Sequence, residues 1–252
     1  MSDLPILFSA PMVRAILREI EQPGTGKTQT RRIMPHHDAI VRHATAFSPI
    51  LTKNAVFNYA GDEEISRAPI SVGDRVYVRE AWHVARILDS TPPRDIPRDA
   101  SIEYAATARS YAEIGLKGKL RPAMFMPRWA SRITLIVTDV RVQRLQEISE
   151  ADALAEGVIR QDPTPEDEEW NRRWCAEEGV KADPLGSVWL APGTRQGFGS
   201  RPNEPQWGPT PEFAFRLLWD SINAKRAPWA SDPWVAAYTF RPILGNIDQV
   251  QA

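Results

Sequence analysis

One cysteine in 252 residues, Cys175, has no partner for an intramolecular disulfide and excludes a cysteine-rich zinc module. An excess of one charge is also missing. Lys+Arg 31 against Asp+Glu 32 gives a formal net charge of −1, which argues against a bulk nucleic-acid coat and leaves any cationic site local. No apolar run approaches the roughly 18–20 residues of a membrane span. The first residues, MSDLPILFSAPMVRAIL, carry neither a basic n-region nor a small-residue cleavage site, so a soluble, cytoplasmic protein is expected. Hydrophobic residues at 42% and charged residues at 25% exclude wholesale disorder. The length fits one enlarged domain, or a small domain with a substantial insertion.

Proline and tryptophan are abundant, at 22 and 9 residues. The prolines interrupt the chain too often for long helices and point to a compact β-rich body. Met12, Ala15, Ile16 and Ile20 recur at helical spacing after Ser9 and Pro11, which predicts a helix over 10–21 with Ser9 as its cap. A loop follows, Gly24-Thr25-Gly26-Lys27-Thr28-Gln29-Thr30-Arg31-Arg32, and with Arg42 it forms a first cationic patch. Residues 44–70 carry no clear periodicity. After the turn Ser71-Val72-Gly73-Asp74, Val76, Val78, Glu80 and Trp82 alternate along one face, so the strand is read as leaving the core for a cavity or rim at Glu80 and Trp82.

Residues 88–100 are a Pro-rich loop, and Ile102-Glu103-Tyr104 begins another strand. Ile133, Leu135 and Val137 alternate, then Val140 and Val142 continue in shifted phase, which places a bulge or bend near Thr138-Asp139. Ser149 caps a short helix ended by Gly157. Residues 162–208 read as an insertion, with an acidic run, a helix around 165–178, and a later part rich in Gly, Pro and Trp. Thr210-Pro211-Glu212 opens a helix with Phe215, Leu218, Trp219 and Ile222 on one stripe. Trp234, Ala236, Tyr238 and Phe240 alternate as a final strand, and 245–252 read as a loose tail.

Gly26-Lys27-Thr28 looks like the end of a phosphate-binding loop, but Glu21 stands where a Walker loop needs glycine, and a helix rather than a strand precedes it. His36, His37, His43 and His83 form no HxxxH pair and read as solvated loop histidines, so no metal site is expected. No cofactor is expected either. Trp82 and Trp129 have two readings: ordinary packing, or stacking platforms for a base with Arg31, Arg32, Arg128 and Arg132 contacting phosphate or a base edge.

The order of elements, with Gly24/Gly26, Lys27, Thr30 and Arg31/Arg32, then Gly73-Asp74, then Ala153-x-x-Glu156-Gly157, resembles the ASCH family of the PUA-like superfamily. Met126-Pro127-Arg128-Trp129-Ala130-Ser131-Arg132 makes it more similar to a subgroup common in phages and prophages. The resemblance covers about residues 5–35, 70–85, 125–160 and 210–243, within a single domain spanning 1–252. It implies an α+β fold: a small, partly open PUA-like β-barrel with short helices and the Pro/Trp-rich insertion. For a phage-encoded chain the compartment would be the host cytoplasm.

Members of the superfamily bind RNA or modified nucleobases, and a nucleic-acid or modified-nucleobase binding module is the first function expected. Thr28, Arg31, Arg32, Glu80, Trp82, Arg128, Trp129 and Arg132 are its candidate contacts. One small bacterial relative is an amidohydrolase that deacetylates N4-acetylcytidine, and its Lys, Thr and Glu positions correspond to Lys27, Thr30 and Glu156. In that second reading Thr30 is the nucleophile, Lys27 the base, and Glu156 orients the lysine or the amine. Arg128 or the N–H groups of the Gly24–Gly26 loop would stabilise an oxyanion. Two other readings of the cluster stand beside it: a Lys27–Glu156 ion pair with a turn hydrogen bond from Thr28 or Thr30, or a phosphate or base site without hydrolysis. A third function is a phage accessory or morphogenesis protein that meets a phage or host protein through 162–208.

Overall fold

The computed structural model describes residues 2–36, 38–40, 42, 49–58, 60–107, 117–177, 179, 186–193 and 210–250. His37, His43, part of the 44–70 segment and the glycine- and tryptophan-containing stretch 194–209 lie outside the described residues. The fold is α+β. It divides into two compact units, residues 1–143 with 234–252, and residues 144–233.

The first unit is built on a five-stranded sheet in the order β1-β6-β9-β12-β2. Its strands are β1 (Asp3–Leu7), β6 (Arg75–Arg79), β9 (Ile133–Arg144), β12 (Trp234–Leu244) and β2 (Gln29–Ile33). β1 runs parallel to β6, whereas β6–β9 and β12–β2 are antiparallel. Pro5 is tolerated in β1 because that strand is an edge, where a missing N–H leaves no ladder bond unmade. The opposite edge is β2, so the sheet is not closed by backbone pairing. A side chain spans the opening instead: Arg32 on β2 donates through Nη2 to the carbonyl oxygen of Leu7 on β1 at 2.9 Å.

Helix α1 (Ala10–Glu21) packs against β12 and buries Met12, Val13, Ala15 and Ile16. Its bounds match the apolar spacing. Ser9 holds the N-cap position, but its hydroxyl makes no capping bond, and only its carbonyl accepts, from Val13 N–H at 3.0 Å. The Gly73-Asp74 turn ties two strands together. Gly73 adopts φ +89, and the Asp74 carboxylate accepts from Ser71 N–H at 3.0 Å and Ser2 N–H at 2.7 Å, fixing the start of β1 beside that of β6.

Small strands complete this unit. β3 (Ile50–Leu51), β4 (Ala55–Phe57) and β5 (Glu64–Arg67) form an antiparallel sheet in a segment to which the sequence assigns nothing, and β7 (Trp82–His83) pairs with β8 (Glu103–Tyr104). The expected change of phase along β9 is present, with Ile133, Leu135 and Val137 buried and then Val140 and Val142. Residues 245–250 are not the loose tail expected. Asn246 Nδ2 lies 2.9, 3.1 and 2.7 Å from the carbonyl oxygens of Arg128, Trp129 and Ser131, Ile247 is fully buried, and Arg75 donates to the carbonyls of Ile247 and Val250.

In the second unit, α2 (Glu150–Ala155) is capped by the Ser149 hydroxyl and followed by Gly157 at φ +96. β10 (Ile159–Gln161) pairs antiparallel with β11 (Val188–Leu190), and α3 (Pro165–Glu177) lies between them in sequence. α4 (Pro211–Asn223), capped by Thr210, packs on α2 and β11. It buries Phe215, Leu218 and Trp219, but Ile222 falls off the stripe and is 56% exposed.

Candidate functional site

The basic loop folds inward. Between α1 and β2 the chain turns at Gly24 (φ +86), and the Glu19 carboxylate accepts from Gly24 N–H at 3.0 Å and Gly26 N–H at 2.8 Å. Gly26 presses so closely on α1 that a Cβ there would stand 2.3 Å from both the Ala15 carbonyl oxygen and the Glu19 nitrogen. Lys27 N–H then donates to Ala15 at 3.0 Å. This clamp has two consequences. Lys27 is fully buried, and the amides expected to serve as oxyanion donors are already taken, those of Gly24 and Gly26 by Glu19 and that of Thr25 by the Gln22 carbonyl.

Residues 29–32, expected in a loop, belong to β2 because their backbone pairs with β12. The two-residue period of a strand sorts their side chains. Thr30 and Arg32 share one face, with Thr30 opposite Tyr238, whereas Gln29 and Arg31 share the other. Arg31 is buried and donates to Gln29 Oε1 at 2.6 Å, and Gln29 donates to Thr239 Oγ1 at 3.2 Å. Arg32 donates through Nη1 to Thr30 Oγ1 at 3.0 Å, and its guanidinium carbon lies 5.1 Å from the centre of the Phe8 ring. Lys27 Nζ is 6.0 Å from the centre of the same ring. Phe8, Lys27, Thr30 and Arg32 therefore gather where the edges of the sheet approach. Thr28 is half-buried beside them, its carbonyl accepting from Phe240 N–H at 2.8 Å. The Tyr238 hydroxyl points toward the backbone of Ile70 without a well-formed hydrogen bond, and burial pushes its pKa up to about 12.

A second group lies at the end of β6. Phe8 N–H donates to the Arg79 carbonyl at 3.1 Å, which brings the residue after Arg79, Glu80, next to the first group along the backbone. The Glu80 side chain is only 1% exposed and is held by Arg132, whose Nε and Nη2 donate to its two oxygens at 2.9 and 3.0 Å. Burial pushes the Glu80 carboxyl above its ordinary pKa, against the opposing pull of Arg132. Arg132 Nη1 donates to Thr107 Oγ1 at 3.1 Å, and its guanidinium carbon lies only 3.9 Å from the centre of the Tyr104 ring. The Tyr104 hydroxyl donates to the Ala130 carbonyl at 3.0 Å, and burial raises its pKa too.

The remaining candidates are engaged in packing or with other groups of the protein. Trp82, expected at a rim, is fully buried with Val84, Ile96, Met126 and Ala130, and Trp129 packs half-buried against the same cluster. An indole without exposed surface offers no stacking face, so Trp82 is not a base platform. Arg128, expected to meet phosphate or an oxyanion, is shared by two carboxylates: Asp248 Oδ1 at 2.6 Å and Asp3 Oδ2 at 2.5 Å. These partners hold it more firmly charged than an ordinary arginine, Asp248 most strongly. Arg75 first, then Arg128, pulls the Asp3 carboxyl below its usual range.

Glu156 belongs to the second unit, where it is the buried C-cap of α2 and donates its N–H to the Asp152 carbonyl at 2.9 Å. His83 Nδ1 donates to the Gly118 carbonyl at 3.0 Å, and among the described residues no three His, Cys, Asp or Glu side chains are placed to hold a metal ion. A surface hollow of about 310 Å³ between Pro93, Lys119, Leu120, Arg121, Pro122 and Phe125 contains none of the residues singled out from the sequence.

Phe8, Tyr104, Thr107 and Tyr238 escape a reading of the sequence for sites. Phe8 and Tyr104 stand in short apolar stretches with the composition of core, and only the packing puts them against arginines. No helix among the described residues is long and apolar enough to cross a membrane. No family model matches the chain, and no curated protein or solved structure matches it.

Proposed function

We propose that the first unit is a PUA-like domain of the ASCH type that binds RNA or a modified nucleobase at the opening between β1 and β2. The observation carrying this is the pairing of Arg32 and Lys27 around Phe8, the arginine bridging the two edges and the lysine fully buried. Withdrawing cations from water in a chain of net charge −1 costs free energy, and such groups cluster where a ligand's acceptor atoms are recognised. The five-stranded sheet, left open and spanned by a side chain, supports the partly open barrel of that superfamily. Calorimetry of N4-acetylcytidine and short single-stranded RNA tests the reading. Arg32→Ala is expected to weaken binding about 10- to 100-fold, the range for losing a hydrogen bond to a charged group. Unchanged affinity at intact stability would overturn it.

A second reading, deacylation of N4-acylated cytosine nucleosides, is favoured by one detail. Arg32 Nη1 sits 3.0 Å from Thr30 Oγ1, where a positive donor favours the alkoxide form of a nucleophile. Lys27 would take the Thr30 proton as Oγ1 attacks the acyl carbon and return it to the departing N4 amine, and water would then release the acid. The role of Glu156 rests on the family resemblance. Turnover of N4-acetylcytidine, followed by chromatography and lost in Lys27→Ala, would establish the enzyme. Binding without turnover would leave a reader domain.

A further inference from the structure

The groups that would read a base by stacking have changed places. The indole expected to stack is core, and the arginine expected to donate hydrogen bonds already uses each of its three nitrogens once: Arg132 Nε and Nη2 on Glu80, Nη1 on Thr107. Tyr104 backs the guanidinium at 3.9 Å, and that ring is itself wedged against the buried Trp82 cluster and bonded to Ala130. The Arg132 side chain is nevertheless 20% exposed. Its orientation is fixed by a bidentate carboxylate, and Tyr104 takes one face of its plane, so a ligand ring would meet the other.

We propose that Arg132, supported by Tyr104 and locked by Glu80, is the stacking platform for the ligand's nucleobase. The claim rests on the binding reading above and names the part of the ligand that this corner recognises: the ring, not the phosphate. A guanidinium plane accepts a base face as an aromatic ring does. Its fixed position means little side-chain freedom remains to be lost when the base arrives. Glu80 is a positioning residue in this scheme.

The test uses the full chain with cytidine 5′-monophosphate and ribose 5-phosphate as probes in titration calorimetry at several salt concentrations. Wild-type protein is expected to bind the nucleotide at least about fivefold tighter than the sugar phosphate, since base stacking contributes about 1–3 kcal/mol. Arg132→Lys keeps the charge and can still pair with Glu80 but removes the plane. It is expected to lose about 5- to 100-fold in nucleotide affinity, with the salt slope unchanged. A slope reduced by about one would mark Arg132 as a phosphate contact and overturn the proposal. Equal binding of the two probes by wild type would overturn it too, without needing any variant to fold. Nucleotide binding lost in Arg32→Ala but untouched in Arg132→Lys would remove the platform and spare the binding reading. No binding of either probe or of RNA by wild type would remove both.

Discussion

Arg128, a candidate ligand contact in the sequence, is held by two carboxylates from opposite ends of the chain. It lies beside Trp129 in a basic-aromatic segment, yet it joins Asp3 at the start of the sheet to Asp248 near the end of the chain, and Arg75 holds Asp3 from the other side. The pH dependence of this network follows from Asp3. Its folded pKa lies below the ordinary 3.8, so the stabilisation is present above that value and is lost as pH falls through the folded pKa. Asp3→Asn is expected to lower stability by about 1 kcal/mol near neutral pH, as for a partly exposed networked pair. In urea melts the gap from wild type should narrow below about pH 4. A gap independent of pH would assign the loss to packing. Glu80 runs the opposite way, because burial raises its pKa and ionising it on the way to neutral pH works against the fold.

At the scale of elements, the contact between α1 and the loop after it decides where Lys27 points. The loop lies flat on the helix because Gly26 has no side chain and Glu19 satisfies the amides of Gly24 and Gly26. A methyl at Gly26 meets backbone on two sides, and backbone cannot rotate away. Gly26→Ala is expected to cost about 1–3 kcal/mol, the range for overpacking, and to lower the thermal midpoint by several degrees. Because the same shift moves Lys27, ligand affinity should fall at temperatures where the variant is still folded. A stable variant with wild-type binding would show that the clamp does not place the lysine. The elements themselves were largely legible in the sequence: α1, the caps at Ser149 and Thr210, and the phase change in β9 follow from spacing and from short-range hydrogen bonds. The segment 50–67 was not, since strands of two to four residues are too short to show a period.

Across the whole molecule, near-zero net charge and inward-turned cations go together. Lys27 and Arg31 are buried and Arg128 is neutralised by two carboxylates, so little of the apparent positive patch faces solvent as free charge. Retention on a heparin column at about 0.1 M salt is therefore expected to be slight, even if a nucleotide binds well. Strong retention would indicate a cationic surface that the burial of these residues does not provide.

The sequence by itself determined that short helices and strands alternate, the single cysteine, the first helix to its end residues and the set of residue types available for a site, because composition and short-range spacing carry that information. It also singled out Lys27, Thr30, Arg32, Glu80 and Arg132, which cluster near one corner of the sheet. Only the tertiary structure decided what each of them does. Whether an arginine is a free donor, a salt-bridge partner or a flat platform depends on carboxylates and rings that come from distant parts of the chain: Glu80 and Tyr104 for Arg132, Asp3 and Asp248 for Arg128. Those partners meet through the register of strands far apart in sequence, and no local pattern encodes that register.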